Sequence, residues 1–362
     1  MLKKLLFAPF LTAICAAELT SIASYPGKHD QNCLFQQSVT GAMVKDKLYT
    51  FGGCFKVAYV VDPNSIKDNY YFDGQDHINT TDLSQVYDTV TDKWSFETNT
   101  PIPIKRAATQ VVDNTIYLFD ILLGNHHSSM SMYKYDTESK LWTALPDIPF
   151  LWKTGLFSGN ALLSCHDGQG KIYFAGAYDG LDRNIIQIFD TTKNEWSKSP
   201  IFMDKRLVIK QMICNQDHIK LVALDLKDVE YSADMSYVED DKVENFELFS
   251  TSYLDGSTKS DNYSFFGHYR AGSIGRLDNW IFLSNVGKTQ TTFYRLDTIT
   301  HENITMATLP YDLLAPVIAP VNEKEILLLG GSEPFPFQRT HRNDIEKYNH
   351  KLTYNPHKHD EL

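Results

Sequence analysis

Three stretches of the chain are versions of one another. Tyr87 to Trp94 reads YDTVTDKW, Tyr135 to Trp142 reads YDTESKLW, and Phe189 to Trp196 reads FDTTKNEW. In each, an aromatic residue and an aspartate lead into a polar turn, and a tryptophan follows seven residues after the aromatic. An aromatic strand end, a turn and a Trp-bearing strand make a β-hairpin. Self-similarity at a spacing near fifty residues means one supersecondary unit used repeatedly. A chain of 362 residues is larger than a single core usually grows, so the repeats decide for an array rather than one compact domain.

A second recurring piece lies upstream of each hairpin: a polar or arginine start, small residues, a two-residue turn and an apolar strand. Val39 to Gly53 reads VTGAMVKDKLYTFGG, Arg106 to Asp120 reads RAATQVVDNTIYLFD, and Arg270 to Ser284 reads RAGSIGRLDNWIFLS. Further members are Asn160 to Gly176, Ile209 to Leu224 and Ala315 to Gly331. Pairs such as Asp113-Asn114 and Asp278-Asn279 between alternating apolar runs are what a tight hairpin needs. Six upstream hairpins call for six downstream partners. Three are the Trp copies; the others are expected near Phe246 and Phe249, at Leu296 to Ile304, and at Tyr348 to Tyr354.

These units resemble kelch repeats, whose blade starts with an arginine or small residue, carries an apolar strand ending in Gly-Gly, and later a tyrosine and a tryptophan. The diglycine stands at Gly52-Gly53 and Gly330-Gly331. The resemblance implies an all-β fold, a six-bladed kelch-type β-propeller of four-stranded antiparallel blades, over residues 38–356. Radial repetition also protects strand edges that a flat array of this length would expose. Residues 18–37 read as an N-terminal arm. Residues 55–84, rich in Asp, Asn and Tyr, and residues 225–268, with acidic Glu239-Asp240-Asp241, read as long loops on a face.

The termini carry addresses. Met1 to Lys4 is a short basic segment, and Leu5 to Ala16 is an apolar run too short to span a bilayer. With small residues at Cys15 and Ala17, this reads as a signal peptide over 1–17. Residues 357–362 read as a C-terminal tail. Its His359, Asp360, Glu361 and Leu362 form HDEL, a retrieval signal read by the HDEL receptor of the endoplasmic reticulum, in the form fungi use. The formal net charge is −11, which argues against nucleic acid or an anionic membrane as the main partner. No later apolar stretch is long enough to give stable membrane insertion.

Four cysteines remain after leader removal, an even count that reads as two disulfides in an oxidising lumen. Cys165 and Cys214 hold equivalent places in neighbouring blades and are expected to pair, which leaves Cys33 with Cys54. Sequons at Asn79, Asn262 and Asn303 are glycosylation candidates. For Asn303, an Ile304 side chain in the inward aromatic position would turn the asparagine outward.

No nucleophile elbow, metal-binding helix, P-loop or dinucleotide fingerprint is present, so no catalytic, cofactor-binding or metal residue is assigned, and no cofactor. The adjacent His126 and His127 point to opposite faces of a strand. Arg106 and Arg270 start equivalent strands and read first as braces for the neighbouring blade; with His268 and Tyr269 they form the one candidate ligand edge, at the mouth of the channel. Dibasic Lys105-Arg106 and Lys205-Arg206 read as structural blade starts rather than processing sites. Some kelch propellers are enzymes, including copper oxidases and secreted sialic-acid epimerases, but cysteines committed to disulfides leave no Tyr/His/Cys copper set. The expectation is a non-catalytic protein-binding propeller resident in the endoplasmic reticulum lumen of a fungus, with an unidentified luminal partner. One alternative is a secreted yeast killer-type toxin using HDEL for retrograde entry into a target cell. Another is a luminal sugar-active enzyme.

Overall fold

A computed structural model describes residues 18–21, 33–37, 40–52, 54–57, 78–104, 107–124, 127–147, 163–175, 184–225, 244–267, 276–286, 290–309, 317–329 and 350–353. Every regular element in them is a β-strand, and the strands pair antiparallel in every sheet. The first sheet holds Thr40–Val44, Lys47–Phe51, Ser84–Asp88 and Lys93–Phe96. The second holds Ala108–Val112, Thr115–Gly124, His127–Asp136 and Leu141–Leu145. The third holds Leu163–His166, Lys171–Ala175, Ile185–Asp190 and Glu195–Trp196, with Ile201–Phe202 added.

The fourth holds Leu207–Cys214, His218–Asp225, Glu244–Ser252 and Thr258–Gly267. The fifth holds Arg276–Leu277, Trp280–Val286, Thr291–Asp297 and Asn303–Leu309. The sixth holds Val317–Asn322, Glu325–Leu329 and His350–Thr353, and its outer strand is Glu18–Ser21 from the other end of the chain. The chain is an all-β propeller of antiparallel four-stranded blades. Among the described residues, five sheets have the expected four strands and the third has five. The difference lies in its outer strand: Ser197 to Pro200 bends away, and the chain returns so that Ile201 faces Ile186. Both halves therefore pair with Ile185–Asp190. Proline lacks the N–H that an uninterrupted ladder needs there.

One row of three cross-strand neighbours runs through every large sheet. It is Leu48–Tyr87–Trp94 in the first, Ile116–Tyr135–Trp142 in the second and Ile172–Phe189–Trp196 in the third. It continues as Ile219–Thr251–Thr258, Ile281–Leu296–Asn303 and Ile326–Leu352–Leu19. In the first three, the two outer rings stack at centroid distances of 5.1, 4.7 and 5.2 Å. The later rows correct the sequence reading. Phe249 lies on the third strand of the fourth sheet, and the tryptophan position is Thr258, whose hydroxyl is 3.0 Å from that of Thr251. Asn303, not Ile304, stands opposite Leu296. The sixth outer strand is Glu18–Ser21, where Leu19 stands opposite Leu352; Tyr354 lies outside the described residues.

The aspartate of each repeat builds the outer turn. Oδ1 of Asp88, Asp136, Asp190 and Asp297 accepts backbone N–H bonds from residues two and three further on. The threonine after it donates to a carbonyl in the inner hairpin: Thr89 to Asp46, Thr137 to Asn114, Thr191 to Gly170 and Thr298 to Asn279. The motif thus ties two turns of one sheet together on one face of the ring.

The core lies between sheets. Phe51 and Ile104 pack with Ile116 and Tyr135, joining first to second; Phe119 with Phe174 joins second to third. Met203 and Met212 sit with Cys165 between third and fourth, and Phe246 with Ile281 between fourth and fifth. Phe282 packs with Ile318 between fifth and sixth, and Leu48 and Tyr87 pack with Val317 and Leu327 between sixth and first. Each fully buried Phe contributes roughly 2–3 kcal/mol of transfer free energy.

Candidate functional site: the loop face

Antiparallel order sorts the connections by face. Inner-hairpin and outer-hairpin turns share one side, as the threonine bonds require; the remaining connections leave from the other. On the first side the turns are short: Lys45-Asp46, Asp113-Asn114 and Asp278-Asn279 inside, residues 137–140 and 191–194 outside. On the second side the described strands end and restart, at Phe51 and Ser84, Leu145 and Leu163, Ala175 and Ile185, Asp225 and Glu244, Gly267 and Arg276, and Leu329 and His350, so the longer gaps between described strands open and close on that face.

Its described part is a small three-stranded sheet of Cys33–Gln37, Cys54–Val57 and Ile78–Thr80. The N-terminal segment and the first long connection build it together. Gly52 places its root: φ is +60°, its N–H donates to Leu83 O at 2.9 Å, and an added Cβ would lie 2.4 Å from Ile104 O. A bridge between Thr81 and Ile104 ties the same root to the start of the second sheet. This is why the first residue of that Gly-Gly is glycine. The hairpin of Thr115–Gly124 with His127–Asp136 is ten residues a side and reaches this face with a two-residue link.

The sequence-predicted residues fall unevenly on this frame. Arg106, His268, Tyr269 and Arg270 lie outside the described residues, as do the leader, HDEL and His126. In the small sheet Cys33 is opposite Val57 and Cys54 opposite Gln37, which sets the two cysteines at opposite ends of the ladder rather than across from each other. Cys165 and Cys214 form a disulfide between the inner strands of the third and fourth sheets, Cα–Cα 5.4 Å. Asn79 is in the small sheet opposite Phe55, and Asn262 and Asn303 are exposed on outer strands. Asn303 is exposed even though it occupies the tryptophan position. Lys205 is 3.4 Å from Asp225 and lies over the Phe249 ring, while Arg206 is exposed.

The polar groups of the short-turn face serve structure. Tyr87 donates to Asp92 at 2.6 Å and Tyr253 to the carbonyl of Asn215 at 2.7 Å. Burial pushes the phenols of Tyr87, Tyr135, Tyr173 and Tyr253 up, with nearby carboxylates adding to it at all four. Such phenols stay protonated at neutral pH and make no general base. Inner strands are stitched by Thr40 to Ala107 O, Thr109 to Gly41 O, and Gln110 to Ser164. Among the described residues no group of three His, Cys, Asp or Glu could hold a metal. Among them no helix is long and apolar enough to cross a membrane, which says nothing of a β-barrel.

No family model matches the chain. It is 26% identical over 171 residues to the Kelch-like protein terF of Aspergillus terreus, 43% of this chain and 31% of that protein. It is 26% identical over 117 residues to Kelch-like protein 25 of Xenopus tropicalis, 31% of this chain and 18% of that one. The chain therefore spans less than a third of the length of either relative. The solved structure of YjhT superposes with a TM-score of 0.52 at 13% identity, over 92% of this chain and 95% of the other. That likeness is one of fold. The chain is a β-propeller similar in sequence to kelch-like proteins.

Proposed function

We propose that this is a non-catalytic protein-binding propeller of the endoplasmic reticulum lumen in a fungus, and that its partner docks on the loop face. The observation that supports it is the sorting of strand ends: among the described residues, the ends that flank the longer gaps in the sheets lie on one side. Binding residues concentrate in loops positioned by such a scaffold. These connections carry the residue types of interface cores: Tyr59, Tyr70, Tyr71 and Phe72 in one, Phe335 and Phe337 in another. Similarity to kelch-like proteins is in keeping with an interaction module.

The ring is read as six-bladed, with the interrupted outer strand of the third sheet counted once; six inter-sheet clusters support that count. Residence rests on the leader over 1–17 and on His359 to Leu362. The Cys165–Cys214 bond fits an oxidising compartment.

The test expresses the chain in yeast with and without its last four residues and blots lysate and medium. Retention of the full chain, with release on truncation, is the expected result. Secretion of both forms contradicts residence, and a medium that then clears a sensitive lawn would favour the toxin reading.

A further inference from the structure

Two of the sequons meet across a seam of the ring. Asn262 is on the outer strand of the fourth sheet and Asn303 on the outer strand of the fifth. At Asn262 the ladder is interrupted: Glu247 faces Ser264 and Phe249 faces Ser260, so three residues of the outer strand stand against Leu248 alone. Asn262 has φ +56° in this bulge, a conformation that asparagine tolerates better than most residues. Its side chain is exposed, and so is that of Ser264, while Tyr263 between them is half-buried. At the second sequon Asn303 and Thr305 are exposed and Ile304 is half-buried. Each acceptor thus shares an open face with its hydroxyl residue, as strand alternation dictates.

An aromatic platform lies between the two. The Tyr263 ring is 5.1 Å from the imidazole of His301, with an interplanar angle of 31°. His301 sits in the outer turn at φ +64°, two residues before Asn303. The Asn303 side chain hydrogen-bonds the Tyr263 hydroxyl, which opposes the upward push of burial on that phenol. Tyr263 also packs against the apolar cluster joining the two sheets.

We propose that Asn262 and Asn303 both carry N-glycans and that the Tyr263–His301 pair is the surface on which the first sugar at Asn303 packs. In the transfer the amide nitrogen forms a bond to the anomeric carbon of an oligosaccharide carried on a polyprenyl diphosphate. The bond from that carbon to the diphosphate oxygen breaks, the diphosphate leaves with the electron pair, and one amide proton is lost; nothing is oxidised or reduced. The remaining N–H of Asn303 still reaches the Tyr263 hydroxyl. The glycans cover two open strand edges, which otherwise invite edge-to-edge pairing, and they close this seam to a protein partner. The inference rests on the secretory reading.

The experiment purifies the full chain from yeast, removes glycans enzymatically in heavy-oxygen water, and maps peptides for the label left at each formerly occupied asparagine. The same digest reads the N-terminus. Thermal unfolding is followed before and after deglycosylation for the natural chain, Tyr263→Ala and His301→Ala. The expected result is label at Asn262 and Asn303 and a drop in Tm on deglycosylation that either substitution shrinks. A removed leader with either asparagine unlabelled overturns the inference and leaves the secretory reading standing. A retained leader without label overturns both. Label at both sites with an undiminished drop in His301→Ala overturns the platform, even if Tyr263→Ala does not fold.

Discussion

Trp142 donates its indole N–H to the carbonyl of Thr98 in the preceding sheet, 3.1 Å away, and Trp196 donates to Pro146 at the same distance. Each acceptor is four residues past the tryptophan of the sheet before it. The tryptophan therefore stacks within its own hairpin and bonds the segment that leaves the preceding blade, with one side chain. Trp142→Phe keeps a ring and loses the bond, which costs about 1 kcal/mol. Trp142→Ala loses both and costs about 3 kcal/mol. Urea midpoints at constant slope read the two losses.

Gly52 and Gly168 both have positive φ, yet their surroundings differ. A Cβ at Gly52 would sit 2.4 Å from Ile104 O, while one at Gly168 meets nothing within 4 Å. Gly168→Ala is expected to cost about 1–2 kcal/mol, the backbone penalty alone. Gly52→Ala adds a backbone clash and is expected to exceed about 3 kcal/mol. Equal losses in chemical unfolding would contradict the contact.

Asp190 is held down to about 2 by the Thr192 hydroxyl, with help from the backbone N–H groups of Lys193 and Thr192. A depressed carboxylate stabilises the fold above its unfolded value near 3.9, and that contribution fades as pH falls through about 2. Asp88 and Asp136 are lowered in the same direction, chiefly by backbone N–H bonds from Thr91 and Ser139. Stability should fall between about pH 4 and pH 2, less steeply in Asp190→Asn, as followed by tryptophan fluorescence.

Cys165 and Cys214 close a loop with a sequence separation of 49. Chain entropy assigns such a link about 4 kcal/mol. Paired substitution to alanine, or reduction, is expected to lower the urea midpoint accordingly. An unchanged midpoint would show that the seam between the third and fourth sheets does not depend on the bond.

The repeat was legible where its residues do one job each. An aromatic residue, Asp-Thr and the tryptophan are written plainly in three sheets because stacking, the aspartate turn and the threonine tie all need those side chains. In the fourth sheet, Thr251 and Thr258 fill the row with a hydroxyl pair, so the aromatic signal vanishes there and Phe249 lies one strand inward. The Glu18–Ser21 strand was not legible at all. Four residues carry no turn or period of their own, and Leu19 finds Leu352 only through ring closure. Of the site, the sequence foretold long loops. That the strand ends flanking them share a face follows from strand direction, a property no single stretch carries.

The central claim is that a partner docks on the loop face. The short-turn face is the rival, since Val90, Leu254 and Ile299, each two residues into an outer turn, are 76%, 97% and 58% exposed. A photoreactive residue placed singly at Lys56 and His127 on the loop face, and at Val90, Leu254 and Ile299 on the other, decides between them in living cells. Adducts of one discrete mass from Lys56 and His127 only are the predicted result. Adducts confined to Val90, Leu254 or Ile299 would contradict it.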